Sequence, residues 1–132
     1  MKPRTNRRKG PERLLVTRLE RLPATSFGKL VTRALGGGAS LGGVSILHER
    51  LPPRTTLPTV THRRTTEWVY CTKGTMTAFL GGKRHALREG AVVLIPPGVP
   101  HKFVTGGASC SAISIFHPAL TVGPDADISV GP

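Results

Sequence analysis

The chain has 132 residues, which fits one domain with a single modest core, and its 38% hydrophobic content argues against global disorder. No segment approaches the roughly 20 consecutive apolar residues that a membrane helix needs. The formal net charge of +12 is unevenly spread: residues 1–21 hold eight Lys and Arg against two Glu, and so carry half of the excess.

The basic start of the chain predicts a flexible arm over residues 1–22. Its charge could contact nucleic acid or an anionic surface, but charge is the only sign of nucleic-acid binding, and a solvated tail is favoured. The apolar run "LLV" (14–16) is too short for a secretion signal, so a cytoplasmic protein is expected, with an Arg-rich transit peptide as the open alternative. Cys71 and Cys110 lack zinc or redox spacing and are interpreted as small buried hydrophobic residues.

The first half of the chain reads as extended segments separated by Pro and Gly. Residues 14–23 fit either a short helix or an edge strand, whereas 28–35 and 43–53 alternate as strands do. In the second of these strands, one face carries Val44, Ile46 and His48, and the other carries Ser45, Leu47 and Glu49. Residues 54–62 are extended, with Pro58 excluding a central ladder position nearby.

The second half alternates short apolar runs with turn residues. "TEWVYCT" (66–72) stops before Gly74, and residues 75–90 split into two strands around the hairpin dipeptide Gly81–Gly82. "AVVLI" (91–95), "HKFV" (101–104) and "SCSAISIF" (109–116) follow. About eight to ten short strands with regular turn signals predict an all-β sandwich or barrel over residues 23–120, followed by a loose tail over 121–132.

Three residues in this pattern suggest metal chemistry. Imidazole and carboxylate groups together suit Fe, Mn, Ni, Cu or Zn, and His62, Glu67 and His101 supply both kinds. Glu67 begins a run in which the alternate residues Val69 and Cys71 face the core. A carboxylate on that face is costly unless it is paired or bound to a metal.

The spacing of these residues resembles the two motifs of the cupin superfamily. His62-x4-Glu67-x6-Gly74 and Gly90-x5-Pro96-x-Gly98-x2-His101 match seven motif positions in identity and register, and the resemblance covers residues 43–117. It implies a double-stranded β-helix, or jelly-roll, barrel. It also implies that His62, Glu67 and His101 bind a divalent metal inside the barrel, and that Gly74 and Gly90 form turns between strands.

The departures from the family pattern fall beside the expected ligands. Val60 occupies the position of the first motif histidine, Arg54 that of the opening glycine, and Thr105 that of the closing asparagine. Three ligands would leave an open 2-His-1-carboxylate face, or would bind metal too weakly to hold it. A bound metal is favoured, because a core-facing carboxylate without one is costly.

Other residues are candidates for the cavity. Phe103 shares the face of His101, Val60 shares that of His62, and Arg54 could bind a substrate carboxylate or phosphate at the rim, so these three are the predicted substrate contacts. His48 or His117 could replace the missing ligand, although outward packing is the simpler reading. Trp68 and Tyr70 alternate with Glu67 and should pack away from the cavity, Ser114 is a further cavity candidate, and His85 is given no role.

The resemblance leaves two classes of function open. In the first, the barrel holds Fe, Mn, Ni or Zn and is a metal-dependent enzyme, of oxygenase, isomerase or lyase type, acting on a small polar organic molecule. In the second, it binds or senses a sugar or metabolite without turnover. A nucleic-acid-associated regulator is the least supported class. Because small cupins often pair through edge strands, a homodimer is expected, with no membrane association.

Overall fold

The computed structural model describes residues 14–36, 42–121 and 126–131, and these contain ten strands and one short 3-10 turn, Leu19–Arg21. The strands are β1 (Thr25–Phe27), β2 (Leu30–Ala34), β3 (Ser45–Leu51), β4 (Val60–His62), β5 (Thr66–Leu80), β6 (Lys83–Arg88), β7 (Val92–Ile95), β8 (His101–Val104), β9 (Cys110–His117) and β10 (Ile128–Val130). Within these described ranges, no helix is long and apolar enough to cross a membrane. Residues 1–13 of the predicted arm and residues 37–41 of the glycine-rich segment lie outside them.

The strands form two antiparallel sheets that share β5. One sheet has the order β1-β2-β3-β9-β5-β7, and the other has the order β10-β4-β8-β5-β6. The predicted hairpin at Gly81–Gly82 is present, with Leu80 opposite Lys83 and both glycines at positive φ. Together the sheets curl into a jelly-roll barrel, and the all-β prediction is confirmed.

Strand β5 runs through Gly74 instead of ending there. Its first half pairs with β9 and β7, and its second half pairs with β6 and β8. Gly74 has a φ of +82° and lies at the crossing, just after a register shift between Cys71 and Lys73. The expectation that Gly74 forms a turn between strands is therefore wrong: the glycine bends one strand so that it passes from one sheet to the other.

The interior of the barrel combines a small apolar core with a cavity. The core consists of Val69, Cys71, Met76, Ala78, Leu87, Val93, Ile95, Cys110 and Ala112. Cys71 and Cys110 are both free thiols in this core, with their sulfurs 4.0 Å apart, as expected for small buried side chains. Beside the core lies a cavity of about 880 Å³, in the size range of small-molecule sites.

The described part of the C-terminal segment is more ordered than the sequence suggests. Ile128–Val130 pair antiparallel with Val60–His62, so the range assigned to a loose tail contains strand β10. Three residues are too few for an alternating pattern to be recognised among prolines and glycines. At the other end, Leu19–Arg21 form the 3-10 turn where the sequence allowed a helix or a strand.

Candidate metal centre and its cavity

Three buried side chains converge from three strands on one wall of the cavity. His62 ends β4, Glu67 lies near the start of β5 and His101 begins β8, and all three expose 4% or less of their surface. His62 Nε2 lies 3.4 Å and His101 Nε2 lies 3.2 Å from Glu67 Oε1, and the three donor atoms lie within 4.8 Å of one another. Ligands bound at about 2.1 Å to one cation are separated by about 3 Å, so these donors fit a shared divalent ion.

The groups of the cluster shift one another's pKa values. Burial acts to raise the pKa of Glu67, but hydrogen bonds from His101 and His62 outweigh it and lower the pKa. Burial acts to lower the pKa of His101, but the Glu67 carboxylate and the Val99 carbonyl reverse the effect and raise it. The carboxylate is thus kept ionised, as a metal ligand must be.

The two imidazoles are oriented differently. His101 Nδ1 lies 2.9 Å from the Val99 carbonyl oxygen, an interaction that fixes the ring with Nε2 facing Glu67, where it can bind a metal ion once it loses its proton. His62 Nδ1 is buried and has no hydrogen-bond partner among the described residues. The donor set and the fixed His101 ring fit a metal site, whereas no hydrogen bond to Nδ1 fixes the His62 ring among the described residues.

The three predicted substrate contacts all line the cavity. Val60 is half-buried directly opposite His101 in the β4–β8 pairing, and Phe103 lies with its ring centre 6.0 Å from that of His101. Arg54 is exposed at the rim, and its φ of +53° is the left-handed conformation that glycine adopts more readily. Arginine is thus strained at the position where the family motif has glycine.

A family model described as a cupin domain matches residues 47–116, more than half of the chain. The chain belongs to the cupin family. The resemblance seen in the two motifs is confirmed, as is the jelly-roll form of this cupin barrel. None of the curated proteins searched is significantly similar to the chain.

Solved structures share the fold at low sequence identity. The Streptomyces nucleoside dehydratase Pac13, also solved with uridine, is 10% identical, with a TM-score of 0.73 over 90% of this chain and 92% of that one. The polyketide cyclase RemF from Streptomyces resistomycificus is 20% identical, with a TM-score of 0.72 over 87% and 84%. An uncharacterised double-stranded β-helix protein from Klebsiella pneumoniae is 13% identical, with a TM-score of 0.71 over 91% and 99%. At these identities, the likeness shows the cupin fold.

Neither candidate for a replacement ligand reaches the cluster. His48 points to the outer face of β3, where it lies opposite Ile113 and Arg33, and His117 is exposed, with Nδ1 3.3 Å from the Gly43 carbonyl oxygen. The simpler reading, that both histidines lie outside the cavity, is therefore confirmed, and neither replaces the first motif histidine. Trp68 and Tyr70 do point away from the cavity, as the alternation predicts, but they remain 37% and 48% exposed.

Thr105, at the position of the motif asparagine, has a structural role in this cupin. Its hydroxyl group donates to the Pro52 carbonyl oxygen at 2.5 Å and accepts from the Thr55 N–H at 3.0 Å. The Arg54 N–H donates to the Gly106 carbonyl oxygen at 2.7 Å across the same junction. Thr105 thus fixes the segment that carries Arg54 at the cavity rim.

Glu49 is a second carboxyl group on the cavity wall that the sequence interpretation gave no role. It lies on the inner face of β3 with Leu47 and Leu51, and Ser114 Oγ donates to its Oε1 at 2.5 Å. Burial, reinforced by the negative charge of Glu67, raises the pKa of Glu49 to about 7 against the opposing effects of Ser114 and His101. The signal in the sequence was an acid flanked by leucines two residues to either side, but alternation alone did not show which face of β3 was internal.

Asp127 holds the turn between His62 and Glu67. It is 4% exposed, and its carboxylate accepts the Arg64 N–H at 2.8 Å and the Thr65 N–H at 2.9 Å. Burial acts to raise the pKa of Asp127, but these donors outweigh it and lower the pKa. A residue of the predicted loose tail thus positions the segment between two cluster residues.

We expect Asp127→Ala to reduce the free energy of unfolding by about 2 kcal/mol, because backbone N–H groups lose a charged acceptor. Urea denaturation at neutral pH measures the loss, and Glu89→Ala, at an exposed turn, is the matched control. Because the pKa of Asp127 is lowered on folding, its contribution is present above its unfolded pKa and is lost as the pH falls through the lower folded value. Equal stabilities of Asp127→Ala and wild type near neutral pH would contradict this role.

Proposed function

We propose that this cupin binds a divalent metal ion through His62, Glu67 and His101 and is a metal-dependent enzyme acting on a small polar organic molecule. The observation that carries the proposal is the convergence of two imidazoles and one carboxylate on one wall of a cavity of about 880 Å³. The ion would be Fe(II), Mn(II), Ni(II) or Zn(II), which this mixed donor set suits. Bound there, it would supply a Lewis acid for substrate oxygens or a site for O2.

The rest of the cavity supports a small substrate with both apolar and polar parts. Val60 and Phe103 give apolar wall next to the cluster, and Arg54 places a guanidinium at the rim, suited to a carboxylate or phosphate. Two solved structures with this fold are named as enzymes, a nucleoside dehydratase and a polyketide cyclase. Those names agree with an enzymatic cupin and do not identify the substrate of this one.

Metal content after stripping and reloading the protein tests the proposal. The protein is stripped with a chelator, incubated with Fe(II), Mn(II), Ni(II) or Zn(II), desalted and analysed by inductively coupled plasma mass spectrometry. We expect close to one ion per chain in wild type and a large loss in His62→Ala and His101→Ala. His85→Ala, on the exposed β6 hairpin, is the matched control and should keep its metal. Equal metal content in wild type and both cluster variants would reject the metal site.

The alternative is a cupin that binds or senses a small metabolite without turnover. The valine at the position of the first motif histidine favours it, because three ligands hold an ion less firmly than four. It predicts wild type without bound metal but with a ligand that co-purifies in the cavity and is released on denaturation.

A cytoplasmic location and the solvated role of the N-terminal arm stay predictions.

We also propose that the protein is a homodimer, formed through the outer face of the β7-β5-β9-β3 sheet. Three of the four edge strands, β1, β7 and β10, have only three or four residues each, which leaves β6 as the one edge of six residues in the described chain. The sheet face instead presents neighbouring apolar side chains, among them Trp68 opposite Leu94 and Tyr70 opposite Val92, between 37% and 68% exposed. Exposed apolar patches of this kind mark association surfaces.

We expect a dimeric mass by sedimentation equilibrium and a monomeric mass for Trp68→Glu, because a charge would be buried in the interface. Val130→Glu, an exposed apolar residue on edge strand β10, is the control and should stay dimeric. A monomeric wild type, or a dimer that persists in Trp68→Glu and dissociates in Val130→Glu, would reject this face.

A further inference from the structure

Glu49 differs from the other internal carboxylates in having no cationic partner. Glu67 lies between two imidazoles, and Asp127 is bonded to backbone N–H groups and lies within 4.0 Å of Arg63 and Arg64. In the described part of the chain, Glu49 forms no ion pair, and its one hydrogen bond comes from Ser114, which is fully buried. This holds in a chain with 19 Lys and Arg, so cations are not scarce.

Glu49 is separate from the proposed ligand set. The group of donors close enough to share an ion contains His62, Glu67 and His101, and Glu49 makes no hydrogen bond with any of them among the described residues. It nevertheless lines the same cavity and lies close enough to Glu67 and His101 for their charges to act on it. Oε1 is held by Ser114, which leaves Oε2 for a molecule in the cavity.

A carboxyl group in this setting has no evident structural purpose. Glu49 lies between Leu47 and Leu51 on the cavity wall and has no counter-ion among the described residues. These surroundings destabilise the ionised carboxylate and so lower the free energy of unfolding. One hydrogen bond from a serine offsets only part of the free-energy cost of burying the carboxylate. The pKa of about 7 agrees with a group that can both accept and donate a proton near neutral pH.

We propose that Glu49, oriented by Ser114, is the proton-transferring residue of this cavity, and that the substrate class is a small hydroxy-carbonyl compound that is isomerised or dehydrated. The inference rests on the proposed function in that the substrate carbonyl oxygen is directed at the His62–Glu67–His101 cluster. Of the three reaction types considered, oxygenase, isomerase and lyase, the inference keeps the last two, which need a protein residue that accepts and donates a proton.

The chemistry balances without a further reactant. Glu49 Oε2 takes the proton from the carbon next to the carbonyl, and the electron pair of that C–H bond forms an enolate. In an isomerisation, the neutral Glu49 returns the proton to the former carbonyl carbon. The proton of the hydroxyl group on the neighbouring carbon passes to the former carbonyl oxygen, and a C=O bond forms at that neighbouring carbon. In a dehydration, it gives the proton to the hydroxyl group on the next carbon, which leaves with its C–O electron pair as water, while the enolate pair forms the new C=C bond.

A carbon-acid probe tests the base without knowledge of the substrate. The probe is 5-nitrobenzisoxazole, which loses its C3 proton to a base as the N–O bond breaks and a coloured phenolate forms. Using full-length, chelator-treated protein at neutral pH, we expect saturable turnover in wild type and a rate about 100-fold lower in Glu49→Gln. Glu89→Gln, at an exposed turn, should match wild type. Turnover that is absent in wild type, or unchanged in Glu49→Gln, would overturn the proposal.

Two further measurements separate this inference from the metal proposal. Glu49→Asp keeps the acid on a shorter side chain and should slow the probe reaction less than the amide does; an unchanged rate would overturn the proposal even if Glu49→Gln does not fold. Zn(II) titration of Glu49→Gln should match wild type, and a loss of binding would make Glu49 a ligand and overturn the proposal. If wild type binds no metal but Glu49-dependent turnover persists, the proposed metal enzyme fails while the proton-transferring residue stands.

Discussion

Replacing Gly74 with alanine is expected to lower the free energy of unfolding by about 4 kcal/mol, through left-handed strain and overpacking together. A Cβ atom at Gly74 would lie 2.0 Å from the Ser109 carbonyl oxygen and 3.1 Å from Cys110 Cα, both backbone atoms. The φ of +82° adds a conformational penalty for any residue with a side chain. Because β5 crosses between the sheets here, relief of the clash would displace the start of β9.

Thermal denaturation followed by circular dichroism measures this effect, with an expected fall in melting temperature of roughly 10–20 °C. Gly107→Ala is the control, since a Cβ atom at Gly107 has no neighbour within 4 Å and its φ is not in the left-handed region. It should melt within a few degrees of wild type. If Gly74→Ala and Gly107→Ala had the same melting temperature, the strand crossing would be more adaptable than the close approach to Ser109 implies.

Replacing Val60 with histidine is expected to raise the affinity for Zn(II) or Ni(II) by about 100-fold, equivalent to about 2.7 kcal/mol. Val60 lies directly opposite His101 in the β4–β8 pairing and lines the cavity, so a side chain there begins about 5 Å from that of His101. An imidazole at this position would supply the donor that the family motif has and this chain lacks. Four ligands also hold an ion more firmly than three.

Competition with a chromophoric chelator measures the affinities of wild type, Val60→His and Val60→Leu. The leucine variant keeps the apolar wall and should bind as wild type does. Equal affinities for Val60→His and Val60→Leu would show that position 60 does not face the ion, and would weaken the assignment of His62, Glu67 and His101 as its ligands.

The spacing of the two motifs predicted that His62, Glu67 and His101 would meet. These residues span 39 positions of the chain, and in the structure they share one wall of the cavity. The same holds for the hairpin at Gly81–Gly82 and for the outward direction of Trp68, because two-residue turns and strand alternation are local properties. Local rules were enough wherever a feature depended on neighbouring residues alone.

Outside the two motifs, features that depend on distant partners were missed. Gly74 looks like a turn, and only its approach to Ser109 shows that it bends a continuous strand. Strand β10 is stable because it pairs with β4, and Asp127 matters because a turn more than 60 residues earlier offers N–H groups. Glu49 belongs to a strand whose two faces the sequence distinguished, but only the packing of β3 against β9 determines which face is internal.

The shared wall is built from strands that differ in how firmly they are held. Glu67 lies on the 15-residue β5, which is paired on both sides. His62 ends a three-residue strand that meets β8 through one residue pair, Val60 with His101, and is otherwise held by β10 and by the Gly98 N–H, which donates to the His62 carbonyl oxygen. Brief fraying of β4 and β10 would therefore take His62 out of reach while the rest of the barrel stays folded. Amide hydrogen exchange should record this as fast labelling at residues 60–62 and 128–130 beside slow labelling along β5. A metal ion bound at the site should reduce that difference in labelling rate.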